Sequence, residues 1–368
     1  MREQGQPINN RKPVHDEKAA LTKRVPLLRR GSRFLPYAVT MALAALLIYL
    51  GMTNGEFDLS VSEVMKTLLR ISHNPDFELV VFQFRLPRIV LGAIVGFALG
   101  MAGAAVQSLT RNPLADPGIL GIHSGSSFFV ILFMFAFQGV ISLSGKLAVM
   151  AMPLFGLIGG LLSVILIYTL AQSRGSFDPR RLILVGIAIS SGFGAMTMYL
   201  SLKMNPRDFE KAAMWLSGNL NTANWLYIQT TLPWVLLLAP ILWAKSRKLD
   251  LLRLNDDSLI SLGVPLKRTR NGLLAISVGL TAATVAVAGT IGFVGLIAPH
   301  IAYRLVGYHN RRALPLAGLL GMVLVLAGDF IGRTFFLPAQ LPVGVVISVI
   351  GAPYFVYLLI RRNKPRAA

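Results

Sequence analysis

The chain has 368 residues, 54% of them hydrophobic and 14% charged, with a mean hydropathy of +0.62; soluble domains carry about 25% charged residues, so an ordinary soluble domain is excluded. It contains no cysteine, which excludes disulfides and thiolate metal sites and leaves the redox compartment open. A net charge of +20 could suit nucleic acid, but the lysines and arginines lie between apolar runs, as membrane topology requires.

Residues 1–33 hold nine Lys/Arg against three Asp/Glu. They lack a compact signal-peptide pattern and read as a disordered cytoplasmic tail, not a cleaved leader. Beyond them, apolar runs of about 20 residues recur, which predicts an all-α polytopic membrane protein. Barrel strands would alternate apolar and polar residues, and these runs do not. The first span is expected at 34–52. The polar stretch 53–87 carries an amphipathic piece, VSEVMKTLLRI. The second span is expected at 88–109. Its Gly92, Gly96 and Gly100 fall on one helix ridge, with Gly103 close by, and such ridges let backbones approach closely.

The run TRNPLADPGILG is a turn. Spans three and four are expected at 119–137 and 148–172, the basic turn SRGSFDPRR follows, and span five is expected at 182–202. DFEKAAMWLSG reads as a short surface helix before span six at 225–243. The long segment 244–271 leads to spans seven and eight, at 272–290 and 291–306. After HNRR, span nine is expected at 313–332 and span ten at 341–360. Spans two to five and seven to ten can form inverted copies, a transporter habit.

Ten spans put both termini on one side. Segments on that side hold 27 of the 36 Lys/Arg, and the opposite side holds nine. The positive-inside bias therefore predicts cytoplasmic termini in a multi-pass cell-membrane protein. Arg85, Arg88 and Arg333 then face outward, against the trend.

Asp329 is the one acidic residue expected inside a span, close to its outer end, and no Glu or Lys sits mid-span. Ion-coupled carriers usually need buried ionisable groups, so that class is disfavoured, although carbonyls and hydroxyls can couple Na⁺. An intramembrane enzyme is disfavoured too: there is no HExxH, nucleophile elbow or carboxylate cluster. His300 reads as a satisfied helix-end residue. GVISLSGKL at 139–147 is not a phosphate loop, because five residues rather than four separate its glycines and Leu147 replaces the required Ser/Thr. An active pump of this kind must draw its energy from a partner.

The 244–271 segment is where a partner could act. Asn255 or Asp256 can N-cap a short helix that runs through Ser258 and Leu262, with Gly263 at C′. Leu259, Ile260 and Leu262 are too apolar for a merely solvated loop. A surface helix lying on the bilayer and a helix that plugs into a cytoplasmic subunit both fit.

RLPR before a glycine-ridged span, Q-x-L-x-x-NPLADPGILG, SLGV, GFVGLIAPHIAYR, GDFIGR and LPVGVVISVIGAPYFVYLL together resemble the permease subunits of type II ABC importers. These are the iron-siderophore, haem and cobalamin permeases, and the resemblance runs from about residue 34 to 363. It implies a ten-span transport subunit that is not itself an enzyme, needs no cofactor and pairs with an identical or related copy around the translocation path. It further implies two cytoplasmic ATPases docked at 244–271, on Asp256, Asp257, Ser258, Leu259, Leu262 and Gly263. An extracellular solute-binding protein would present acidic residues to Arg85, Arg88 and Arg333. Two local alternatives stay open: Arg85 and Arg88 can snorkel to lipid phosphates, and Arg333 can pair with Asp329 four residues earlier. The gate in such proteins lies near the turn holding Asp178 and Pro179, where relatives often carry small hydroxyl residues. His123 stands where small polar residues are common. The implied cargo is a ferric siderophore, favoured over haem or cobalamin by family abundance alone, with an ion-coupled secondary transporter as the rival class.

Overall fold

A computed structural model describes residues 34–55, 59–71, 74–137, 146–172, 179–336 and 339–362. The tail 1–33, Asp178 and most of the GVISLSGKL stretch lie outside the described residues. The secondary structure is helical throughout the described residues. Helices α1 (Leu35–Thr53) and α2 (Val61–Leu68) precede the long α3 (Pro75–Thr110). Then come α4 (Ile122–Ala136), α5 (Lys146–Ala171), α6 (Pro179–Leu202), α7 (Pro206–Leu216) and α8 (Trp225–Ala244). Two short helices, α9 (Ser246–Leu251) and α10 (Asp256–Ser261), lead to α11 (Leu266–Ala288), α12 (Val294–Val306), α13 (Asn310–Thr334) and α14 (Val343–Arg362).

Among the described residues, eight helices are long and apolar enough to cross a membrane. The other two expected spans are shorter. Helix α4 has 15 residues and α12 has 13, so at 1.5 Å per residue they reach about 22 and 20 Å against a hydrocarbon core of ~30 Å. Both begin inside the protein. The chain before α4 turns through Asp116, whose Oδ1 accepts from Gly118 N at 2.7 Å, and through Gly121 at φ +74°. The chain before α12 breaks at Phe293, which also has positive φ. The two starts meet, because Gly295 lies against Pro117 and Asp116. Non-helical backbone at membrane depth is tolerated where protein buries it. The order long, short, long, long holds for α3 to α6 and again for α11 to α14, the arrangement expected of two repeats.

Helix α3 starts at Pro75, thirteen residues before the expected span. Asn74 caps it by accepting from Asp76 N at 3.0 Å. The polar residues around 76–85 masked this extension, which includes a π-helical turn at Leu79–Arg85. Widening the helix there frees carbonyls, and the Trp225 indole N–H donates to that of Phe82 at 2.8 Å.

Helices α3 and α11 are the most buried of the long helices. The glycine ridge explains how α3 reaches the centre. A Cβ at Gly96 would collide with the backbone of Gly321, and one at Gly100 with that of Ala317. Helices α3 and α13 therefore cross backbone on backbone. Gly92 faces side chains instead, with Leu220 nearest. By contrast α1 and α6 expose most of their side chains, as apolar helices facing lipid or another chain can.

Candidate functional site

Charged groups converge at the two ends of α3. At its N-terminal end the π-turn and Pro87 bring Arg85 and Arg88 beside the ends of α1 and α13. Arg85 is 4% exposed and donates to the Met52 carbonyl. Arg333 is 6% exposed and donates to the Gly51 carbonyl at 2.9 Å. These carbonyls end α1, where cations complement the helix dipole. Arg88 forks onto Asp329: Nε lies 2.9 Å from Oδ1 and 3.0 Å from Oδ2, and Nη2 lies 2.9 Å from Oδ1. Its Nη1 donates to Gln340 Oε1 at 3.2 Å.

The local Asp329–Arg333 pairing is thus replaced. A guanidinium arriving sideways from α3 offers a planar fork to the carboxylate, and Arg333 turns to α1. Arg85, Arg88 and Arg333 all line one cavity of about 1120 Å³, together with Asp76, Phe84 and Gln340. They are walls of a recess already bonded to their own chain, not free surface arginines.

At the other end of α3, Arg111 occupies the left-handed conformation at φ +53°. Its Nε donates to the Leu252 carbonyl at 2.7 Å. Its Nη2 donates to the Leu254 carbonyl and to Asp256 Oδ1 at 2.6 Å. Arg270, buried in the first turns of α11, donates to Asp256 Oδ2 at 3.0 Å and Oδ1 at 2.7 Å. These hydrogen bonds, Arg270 first, hold the Asp256 carboxyl below the usual carboxylate range.

Helix α10 has the predicted ends, with two differences. Asn255 holds the N-cap position without a side-chain cap, and Arg111 and Arg270 hold this end through the Asp256 side chain. Gly263 sits at C′ with φ +71°, and Val264 N returns to the Leu259 carbonyl at 3.0 Å. The second difference concerns Leu259. The resemblance implies it as an ATPase contact, but it is fully buried and anchors α10 to its own chain. Ile260 and Leu262 face outward at 64% and 63% exposure, beside exposed Asp257 and Ser258. The preceding helix α9 is tied in turn: Asp250 Oδ1 accepts from Asn310 N and Nδ2, both at 2.8 Å. Asn310 Oδ1 accepts from Tyr303 Oη at 2.7 Å.

Arg111, Asp250, Arg270 and Asn310 were not singled out from the sequence. The signal for Arg111 was its place in the TRNPLADP turn; the other three look like ordinary charges and amides at segment ends.

A further cavity of about 600 Å³ is lined by hydroxyls of Ser124, Ser127, Ser217, Thr290 and Ser348, by His123 and by the apolar Leu216, Val345 and Val349. Several of its hydroxyls already donate to backbone: Ser124 to Gly121 O at 3.2 Å, Ser217 to Ala213 O at 2.7 Å and Ser348 to Gly344 O at 2.7 Å. Pro179 opens α6. His300 meets Tyr354 edge-on with ring centroids 5.9 Å apart, and its Nε2 lacks the expected partner among the described residues.

Apolar helices crossed backbone on backbone, with charge kept to their ends, define a multi-span helical membrane protein. The FecCD transport family matches residues 43–361. The iron-uptake permease FeuC of Bacillus subtilis is 49% identical over 89% of this chain and 98% of its own length. The iron(3+)-hydroxamate import permease FhuG of the same organism is 41% identical, over 89% and 96%. The hemin permease HmuU of Yersinia pestis is 34% identical, over 92% and 99%. An inward-facing structure of a metal-chelate type ABC transporter aligns with a TM-score of 0.77 and 28% identity, covering 89% of this chain and 99% of that one. The chain belongs to the FecCD transport family.

Proposed function

We propose that the chain is the permease subunit of an ATP-driven importer that carries a ferric siderophore. The observation that carries the ATP-driven part is α10: a short helix, anchored by Leu259 and Asp256, that presents Ile260 and Leu262 to the outside. Such a knob suits a cytoplasmic ATPase, one beneath each of two permease subunits. The cargo rests on the names of the relatives, iron-uptake and iron(3+)-hydroxamate permeases; hemin, carried in the name of a 34% identical relative, is the second reading.

The termini and α10 face the cytoplasm in this reading, by the positive-inside bias. The recess of Arg85, Arg88 and Arg333 then faces outward and receives carboxylates of a solute-binding protein. An entering carboxylate competes with the carbonyls of Gly51 and Met52 for the arginines, so docking loosens the end of α1. ATP binding in the partner moves α10, and the bundle opens the path below. Asp178 and Pro179 are the proposed gate, and Pro179 opens α6. The hydroxyl-lined cavity suits a conduit, because groups already bonded to backbone grip a passing chelate weakly.

The test is uptake of a ferric hydroxamate by vesicles holding the permease, its ATPase and its binding protein. Uptake should persist when proton and sodium gradients are collapsed and stop without ATP. The reverse pattern would sink the proposal, and hemin uptake without hydroxamate uptake would move the cargo to the second reading.

A further inference from the structure

A helix of six residues is not stable by itself, so α10 can transmit force only through its lateral ties. Leu259 supplies an apolar tie. The charged tie is Asp256, whose two oxygens take Arg111 from the end of α3 and Arg270 from the start of α11. We propose that Asp256 is a positioning residue: its carboxylate, shared by Arg111 and Arg270, makes a push on α10 displace the ends of α3 and α11 together. This rests on the reading of α10 as the motor contact.

Three observations support it. The two tied helices are the most buried long helices of the bundle, and each leads to one of the other sites. Helix α3 runs from Arg111 to the arginine recess, and α11 runs from Arg270 to the hydroxyl-lined cavity at Thr290. Second, Arg111 keeps a left-handed backbone that a residue with a Cβ rarely adopts. That conformation ends α3 and lets the guanidinium reach Leu252, Leu254 and Asp256 together. Third, close-packed interiors resist shear, but a cavity of about 260 Å³ lies beside the fork. It is lined by Gln107, Ser108, Arg111, Arg253, Tyr303 and Tyr308. It gives the end of α3 room to shift against α12. The low carboxyl pKa keeps the pin ionised at neutral pH.

The experiment compares Asp256→Asn and Asp256→Glu in the full chain. In nanodiscs, amide hydrogen exchange over 255–264 should quicken about ten-fold in Asp256→Asn, from loss of charge-assisted hydrogen bonds. Asp256→Glu should restore most of the protection. Unchanged exchange in Asp256→Asn overturns the pin. With ATPase and binding protein assembled, stimulation of ATP hydrolysis by loaded binding protein should fall about ten-fold in Asp256→Asn, while ATPase co-purification stays within about two-fold. Full stimulation, or a fall explained entirely by lost ATPase, overturns the transmitting role. A wild-type chain that recruits no ATPase defeats the importer reading instead, and exchange still decides whether Asp256 holds α10.

Discussion

Asp329 is buried at 5% exposure and answers Arg88. Removing one partner of a buried charged pair leaves the other uncompensated, at about 3 kcal/mol. Asp329→Asn should therefore lower the thermal unfolding temperature in detergent, and Arg88→Gln added to it should recover part of the loss. An unshifted temperature in the single variant would show that the fork stabilises nothing. Asp256 permits a pH experiment. Its carboxyl is depressed in the folded state by Arg270 first and then Arg111. A depressed carboxylate stabilises above its unfolded value of ~3.9 and loses that contribution as pH falls through its folded value. Exchange over 255–264, corrected for intrinsic rate, should stay flat from about pH 7 to pH 5 and quicken only below about pH 4. Quickening near pH 6 would assign the stability to another group. Both residues stood out in the sequence as charges in apolar or capped settings. Their pairings did not, because the Arg88–Asp329 pair spans 241 residues and only the α3–α13 crossing brings it together.

That crossing makes the sharpest demand on an element. A side chain at Gly100 must displace the backbone of Ala317, so Gly100→Val should abolish a folded, monodisperse product in detergent. Gly272, in α11, has open space around its Cβ position. Gly272→Ala should instead stabilise by up to ~1 kcal/mol through helix propensity, read as a small rise in unfolding temperature. Equal effects from the two would refute the backbone contact. The same contrast divides α10. Leu262→Asp should leave the unfolding temperature in place and release the ATPase. Leu259→Asp buries an unpaired charge and should destabilise the chain itself. If Leu262→Asp retains the ATPase through purification, α10 is not its contact. The long spans, the glycine ridge, the amphipathic α2 and the Gly263 end of α10 were legible because periodicity and turn chemistry are local. The shortness of α4 and α12 was not. Their apolar runs continue into the buried turns before them, and hydropathy does not distinguish a buried turn from a helix. Nor could it place Leu259 inward and Leu262 outward, three residues apart on one short helix.

For the whole molecule, the consequence lies in where free energy can enter. Charge sits at the two ends of α3, and the arginines and carboxylates there are bonded to one another or to backbone. The cavity at Thr290 and Ser348 is lined by hydroxyls and apolar side chains, and several of the hydroxyls already donate to the chain. A carrier that drives itself with an ion gradient needs a site whose occupancy differs between its two conformations. Asp329, the acidic residue expected within a span, is held by Arg88 and is poorly placed to take and release a cation. In the proposed reading the work of concentration comes through α10, from proteins that bind it. Purified alone into vesicles under an imposed proton or sodium gradient, the chain should accumulate no ferric chelate above the outside concentration. Adding ATPase and binding protein, with ATP on the α10 side only, should start accumulation; ATP on the opposite side should not. Accumulation by the chain alone would mean that a coupling ion binds through carbonyls and hydroxyls, for which the cavity at Thr290 and Ser348 would be the place to search.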